Sequence, residues 1–351
     1  MSAVIQAQPL ADWAMACLQA VGMADDDARL LADSLVQTSL WGVDSHGVAR
    51  LTHYLERLSR GSIKTRPRIT ITRSGPCTAQ LQADQGQGIV VAHRAMAEAI
   101  ALAQANGIGA VGVTNSSHCG ALALYTRPAA RQGLVALAFT HSDKMAAPQR
   151  GERAFFGTNP IAIALPRADG PELSLDMATT AIPWNRVMNA RRTGATLPPD
   201  VALDAAGAPT RDAQAARALR PLGGADYGHK GYGLAMMVDL LSGPLHANPL
   251  GPELSDMFAE LDRPRELGAF FIALDPARFA GGPLLAEAVA RMAEALAREP
   301  GAALLPGDPE LMREAERRRD GIPVDAALAA EWAGWSARLG LAAPALSAGP
   351  D

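Results

Sequence analysis

Two histidines in this chain stand in short polar segments flanked by glycine, each with a helper residue close by: Ser45-His46-Gly47-Val48-Ala49-Arg50 and Ser116-Ser117-His118-Cys119-Gly120. An imidazole exchanges a proton near neutral pH. A guanidinium grips a carboxylate through two parallel hydrogen bonds. A site that deprotonates a hydroxyl while holding an organic acid needs both groups. A helix over residues 45–57 would set His46 and Arg50 four apart on one face, where one substrate touches both. Arg50 would then fix the carboxylate, His46 would face the neighbouring carbon, and Ser45 would relay a proton or bond the substrate. A solvated helix start with Arg50 paired to a nearby acid accounts for the same spacing. His53, further along, reads as structural.

His118 follows a strand that ends near Thr114, and loops at strand ends often carry catalytic groups on a rigid sheet. An incidental histidine in a polar loop is the alternative. His141-Ser142-Asp143 follows the next strand. If the two strands are neighbours, Asp143 can approach His118 and orient its imidazole. Gly157-Thr158-Asn159-Pro160 precedes a strand and Asp176-Met177-Ala178-Thr179-Thr180 ends one; both suit backbone contacts to a ligand, or plain turns. Gly228-His229-Lys230-Gly231-Tyr232-Gly233 opens an apolar helix, where glycines, the helix start and the Lys230 charge suit a pyrophosphate, without Walker spacing. Leu305-Pro306-Gly307-Asp308-Pro309 is another helix start or an ordinary cap.

The run Gly107-Ile108-Gly109-Ala110-Val111-Gly112 has G-x-G-x-x-G spacing, but a helix ends there and a strand begins. A Rossmann loop has the reverse order, strand then helix. Its small residues read instead as close packing within a strand.

These segments need elements to carry them. Residues 8–60 read as helical, with an apolar stripe of Leu18, Met23, Leu30, Leu31 and Leu35 and a start at Asp25-Asp26-Asp27. Alternation over 68–73 and 78–83, around Ser74-Gly75-Pro76, predicts a hairpin. A helix over 88–105 stops at Asn106-Gly107. Strands are expected at 108–114, 134–140, 161–165, 172–176 and 268–274. Helices are expected at 121–132, 229–242, 283–298, 309–319 and 326–338, with Asp308 capping and Pro309 in the first helical position. Thr193 to Leu222 reads as a long surface loop. The ends of the chain are helix-rich and the middle strand-rich.

The 351 residues allow about two domains, and 48% apolar with 19% charged residues allows a sizeable core. A formal charge of −4 with no basic stripe argues against nucleic acid. Cys17, Cys77 and Cys119 form neither a disulfide framework nor a zinc spacing, so no metal is expected. No leader-like opening and no bilayer-length apolar run are found, so a soluble cytoplasmic protein without a membrane partner is the default.

Taken in order, Asp44-Ser45-His46-Gly47 with Arg50, Ser116 to Gly120, Gly157 to Pro160, Asp176 to Thr180, His229 to Gly233 and Leu305 to Asp308 resemble one family across nearly the whole chain. It is the malate/L-lactate dehydrogenase type of NAD(P)-dependent oxidoreductase, unrelated in fold to ordinary lactate and malate dehydrogenases. Gly75-Pro76-Cys77, Ala83-Asp84, Ser142-Asp143 and the stretch Met257 to Phe271 look most like its ureidoglycolate dehydrogenase branch. The resemblance implies a non-Rossmann α/β fold: a mixed-sheet dinucleotide-binding domain of the sulfolactate dehydrogenase kind over 66–282, and a helical domain built from 1–65 with 283–351. It implies a homodimer and hydride transfer between a small 2-hydroxy acid, such as ureidoglycolate, and NAD, with NADP as the other option. His118 matches the proton acceptor and His46 the donor of reductase members; Ser45 and Arg50 match substrate positions, and Asp143 an acidic neighbour. Ser142, Asp176, Met177, Ala178, Lys230, Pro306, Gly307 and Asp308 match dinucleotide contacts. Lys144 departs from a proline common in relatives, and Arg191 or Arg192 is placed to meet a 2′-phosphate. Rival readings are an NADPH-dependent reductase of cyclic imino acids, of diketo-gulonate or of sulfopyruvate, and a catalytically silent ligand-binding dimer.

Overall fold

The computed structural model describes residues 3–301 and 303–349. Eleven α-helices are found among them: α1 Ala7–Ala20, α2 Asp25–Leu40, α3 Leu51–Arg60, α4 Gly88–Asn106, α5 Ala123–Arg131, α6 Trp184–Thr193, α7 Gly224–Tyr227, α8 His229–Ser242, α9 Gly282–Ala297, α10 Asp308–Asp320 and α11 Ala326–Leu339. The strands are β1 Ala3–Ile5, β2 Thr70–Arg73, β3 Thr78–Gln82, β4 Ile108–Ser116, β5 Val135–Thr140, β6 Ile161–Leu165, β7 Leu173–Met177, β8 Ala202–Leu203, β9 Ala218–Leu219, β10 Leu267–Leu274, β11 Ile322–Val324 and β12 Ser347–Ala348. No helix among the described residues is long and apolar enough to cross a membrane.

Seven strands make the main sheet in the order β2-β3-β4-β10-β5-β6-β7. Only β3 and β4 run parallel within it, joined by the α4 crossover; every other pair is antiparallel. The sheet is therefore mixed, and not the parallel doubly wound sheet of a Rossmann domain. Alternate residues turn to α4 and α5, and many are small: Ala136, Ala138, Ala162, Ala164, Ala269 and Ala273 are buried. Small side chains let helices lie close to the strands at crystal-like packing density. The G-x-G-x-x-G run forms the start of β4. A Cβ on Gly112 would lie 2.0 Å from His246 Nδ1, and one on Gly109 would lie 2.0 Å from the Ala99 carbonyl. These glycines serve close approach, as their position on a strand implies.

The two chain ends meet. β1 pairs with β11 and β12, α1 packs on α11, and α2 packs on α10. One hydrophobic core runs without a break from Leu10, Leu31 and Leu55 through Trp332 into Leu81, Val111 and Phe271 of the sheet.

Three expectations need correction. The helix over 45–57 starts later: Ser45 and His46 lie in a turn, Val48–Arg50 form one 3₁₀ turn, and Arg50 is the N-cap of α3. Gly107 closes α4 as expected, but Asp308 does not cap α10. Gly307 (φ 100°) is the N-cap, and the Asp308 carboxylate accepts from the Leu305 amide at 2.9 Å. The segment from Thr193 to Leu222 is not bare loop. It pairs β8 with β9 and, with Ile182 and Val187, builds a small core of its own around Val201, Ala202 and Leu219. The helix α6 and the short strands at the chain ends were not expected from periodicity.

Candidate active site

The segment from Trp41 to Arg50 runs along one wall of a cleft of about 520 Å³. It leaves α2 through a tight turn. A side chain on Gly47 would collide with Ser39, whose hydroxyl accepts from the Val48 amide at 2.9 Å. Asp44 is gripped by Arg317 of α10, one arm at 2.9 Å, so the C-terminal part of the chain pins this wall.

His46 and His118 meet at the cleft as stacked rings, with centroids 5.3 Å apart and planes at 28°. The Ser45 hydroxyl lies 2.8 Å from His46 Nδ1. His118 Nδ1 lies 2.6 Å from the hydroxyl of Tyr54, which is fully buried on α3. A phenol hydroxyl both donates and accepts, so this anchor survives either tautomer of the ring. Burial, and then the nearby Arg50 charge, push His46 down to about 4. Burial first, then His46 and Arg50, hold His118 well below the usual histidine value. Burial raises the Tyr54 phenol above its usual value. Both imidazoles are thus neutral at pH 7 and free to take a proton.

Arg50 points into the same cleft. Its Nε donates to the Ser45 carbonyl at 2.7 Å and Nη2 to Asn185 Oδ1 at 2.9 Å; Nη1 makes no hydrogen bond among the described residues. Asn185, on α6, also reaches the Ser45 carbonyl at 3.3 Å. The Phe258 ring lies under the guanidinium at 5.4 Å. Arg50, Tyr54 and Arg57 follow one another along α3. Arg57, buried, donates to the carbonyls of Met257 (2.8 Å) and Arg263 (3.0 Å), clamping the loop that carries Phe258.

Asp143 does not reach His118. Its carboxylate is committed to Arg265, and its second oxygen accepts from the Met257 amide at 3.3 Å. It steadies the Met257–Phe258 wall, and Tyr54 takes the place expected for it beside His118. Ser142, Asp176, Met177 and Ala178 line the cleft together with Thr158 and Ser174. The Asp176 carboxylate accepts from the Ala123 amide at 2.8 Å. At this end Arg127 stacks on Trp41 at 4.9 Å and donates to the Gly307 carbonyl at 3.1 Å, and the Pro306 carbonyl accepts from Ser174. Pro306, Gly307 and Asp308 therefore stand just behind the lining. Lys230 does not join them: it is exposed at the start of α8 with its ammonium 5.5 Å from the Tyr227 ring centre. Arg191 spends its guanidinium on the Ala213 and Ala216 carbonyls, and Arg192 pairs with Asp325; neither lines the cleft.

Sequence reasoning missed Tyr54, Asn185 and Phe258. Tyr54 had a signal, since it follows Arg50 by four on an amphipathic helix. Asn185 and Phe258 come from 135 and about 200 residues away, with no local mark.

The malate/L-lactate dehydrogenase family profile matches residues 5–332. Ureidoglycolate dehydrogenase (NAD(+)) of Escherichia coli O157:H7 is 35% identical over 308 residues, 86% of this chain and 87% of its own. (2R)-3-sulfolactate dehydrogenase (NADP(+)) of Chromohalobacter salexigens is 33% identical over 323 residues, 92% of this chain and 94% of its own. The crystal structure of malate dehydrogenase from Entamoeba histolytica superposes with a TM-score of 0.92 at 27% identity, covering 98% of this chain and all of that one. With a cleft that joins neutral histidines to an arginine, and this likeness end to end, the chain belongs to the malate/L-lactate dehydrogenase family and is an NAD(P)-dependent dehydrogenase acting on the CH–OH group of 2-hydroxy acids.

Proposed function

We propose that the protein oxidises ureidoglycolate or a closely similar 2-hydroxycarboxylate, reversibly, at the His46–Arg50–His118 end of the cleft. The observation that carries this is the convergence of two neutral imidazoles and a guanidinium with a free Nη1 on one small volume. Arg50 holds the carboxylate, which fixes the hydroxyl-bearing carbon; such positioning supplies much of an enzyme's rate. His118, anchored at Nδ1 by Tyr54, takes the hydroxyl proton at Nε2, a step worth roughly 10²–10⁴-fold. His46 stands beside it as the second proton carrier. Apolar walls from Ile182, Trp184 and Met257 keep water from the reacting carbon.

A nicotinamide dinucleotide fits the rest of the cleft. Ser142, Thr158, Ser174 and the strand end Asp176–Ala178 offer a polar strip, and Arg127, 1% exposed, brings an Nη1 without a protein partner to the lining. When bound, the nicotinamide supplies the hydride acceptor. We also infer a homodimer, supported by the exposed apolar face of α8 and its neighbours, Leu234, Met237, Leu240 and Leu245. A cytoplasmic setting agrees with three unpaired cysteines.

The test is a panel of 2-hydroxy acids read at the reduced-nicotinamide absorbance, with NAD and NADP in parallel and cyclic imino acids offered with NADPH. Turnover of hydroxy acids, slowed in His46→Ala or His118→Ala, is expected. Reduction of imino acids alone, or hydride transfer unchanged in both variants, would overturn the assignment. Sedimentation velocity at micromolar concentration checks the dimer.

A further inference from the structure

The family embraces substrates that carry one negative charge and substrates that carry two: the relatives above are named for ureidoglycolate, 3-sulfolactate and malate. We propose that this cleft selects 2-hydroxy acids whose second substituent is uncharged and turns away dianions. The inference rests on the 2-hydroxy acid reading of the same site and goes on to its substrate class.

At the reacting end Arg50 is the single cation among the described lining residues. Part of its fork is already spent on Ser45 and Asn185, which leaves Nη1 and one Nη2 hydrogen, enough for one carboxylate. The two histidines are held neutral by burial. Arg127, the other lining cation, lies at the far end against Trp41, beside Glu172 at 3.7 Å. Arg265 is buried and paired with Asp143, and it does not line the cleft. The cleft lining beyond Arg50 includes Met145, Ile182, Trp184, Met257 and Phe258, which carry no charge.

That wall is not free to retreat. The Met257 amide is held by Asp143 and its carbonyl by Arg57, while Phe258 is fixed between Arg50 and His53, its ring 5.7 Å from the imidazole. A second carboxylate or sulfonate seated against the buried Met257 and Ile182 sheds part of its water and gains no counter-charge, which is the costly form of burial. An amide of the same shape escapes most of that cost.

Malate and its β-amide make the comparison at constant shape. The β-amide should exceed malate in kcat/KM by on the order of 10²-fold. Phe258→Arg sets a cation in the wall and should narrow that ratio by about tenfold, whereas Phe258→Leu, which adds no charge, should leave it wide. Malate used as well as its amide by the wild-type protein, or a ratio unmoved by the arginine, would overturn the proposal while hydride transfer from hydroxy acids still stood. If no hydroxy acid is turned over, the functional reading fails instead. The charge preference is then decided by isothermal titration of the NADH-loaded wild-type protein with oxamate against oxalate, where tighter oxamate binding is expected and equal binding of the pair overturns it.

Discussion

Two histidine clusters in this protein use similar groups to opposite ends. His118 stands at the cleft with one nitrogen anchored by a neutral phenol, next to a second imidazole and a half-committed arginine. His141, 1% exposed, is closed on every side. Its Nε2 accepts from the Gly268 amide at 2.9 Å, and its Nδ1 faces Asp239 at 3.5 Å. Asp239 accepts from the Gly251 amide at 3.1 Å and from Asn159 at 3.2 Å, and Asn159 accepts in turn from the Ser142 amide at 3.2 Å. A buried His–Asp pair is the arrangement one would first suspect of catalysis, yet here it has no open side. It ties β5, α8 and β10 together behind the Ser142 side of the cleft. What separates the clusters is access: the open one presents its spare hydrogen-bonding capacity to the cleft, whereas the closed one is buried away from it.

The largest effect should come from Arg50→Met. It removes the carboxylate grip, and kcat/KM should fall about 10³-fold, the cost of losing a charge-assisted pair, with NADH affinity unchanged in a fluorescence titration. Equal losses in both would mean that Arg50 is structural, and the contrast would collapse. Asp239→Ala attacks the closed cluster. It strands buried donors on Asn159 and Gly251 and should cost about 3 kcal/mol of unfolding free energy in urea. A stable variant that had lost hydride transfer would reverse the roles assigned to the two clusters.

Tyr54→Phe should be milder, roughly tenfold in kcat, about 1.4 kcal/mol of transition-state stabilisation. Cofactor affinity should stay as it was; a change confined to thermal stability would reduce Tyr54 to core packing.

The smallest signal is the response to pH. His46 titrates at about 4 in the folded chain and near 6.5 once unfolded. The base form therefore persists down to mildly acid pH, and turnover in the oxidising direction should show no histidine step between pH 8 and 5. The unfolded ring binds its proton first as pH falls below 6.5, so this group's contribution is fully present above 6.5 and is lost as pH falls to about 4. Urea midpoints should decline over that window, and His46→Gln should lessen the slope. A midpoint that rises on acidification would contradict the assigned shift.

Much of the fold is legible in the chain itself. Alternation marked β2 and β3, short apolar runs marked β4 to β7 and β10, and the helical pattern marked α1, α2, α4, α5 and α8 to α11, because these signals come from backbone geometry and local burial. The weakly periodic stretch before α7 was not legible, since its small core draws single residues from many turns. That His46, Arg50 and His118 belong together in one cleft was also there to be read, because the chemistry they suit restricts the choice of side chain. Their partners were not. Whether Asp143 or Tyr54 faces His118, and whether Asn185 or an acid faces Arg50, depends on which strands and helices become neighbours. That is settled by packing across separations of 64 to 135 residues, where no local preference acts. The chain alone determined which chemistry was available; the tertiary structure decided which groups were left unpaired to perform it.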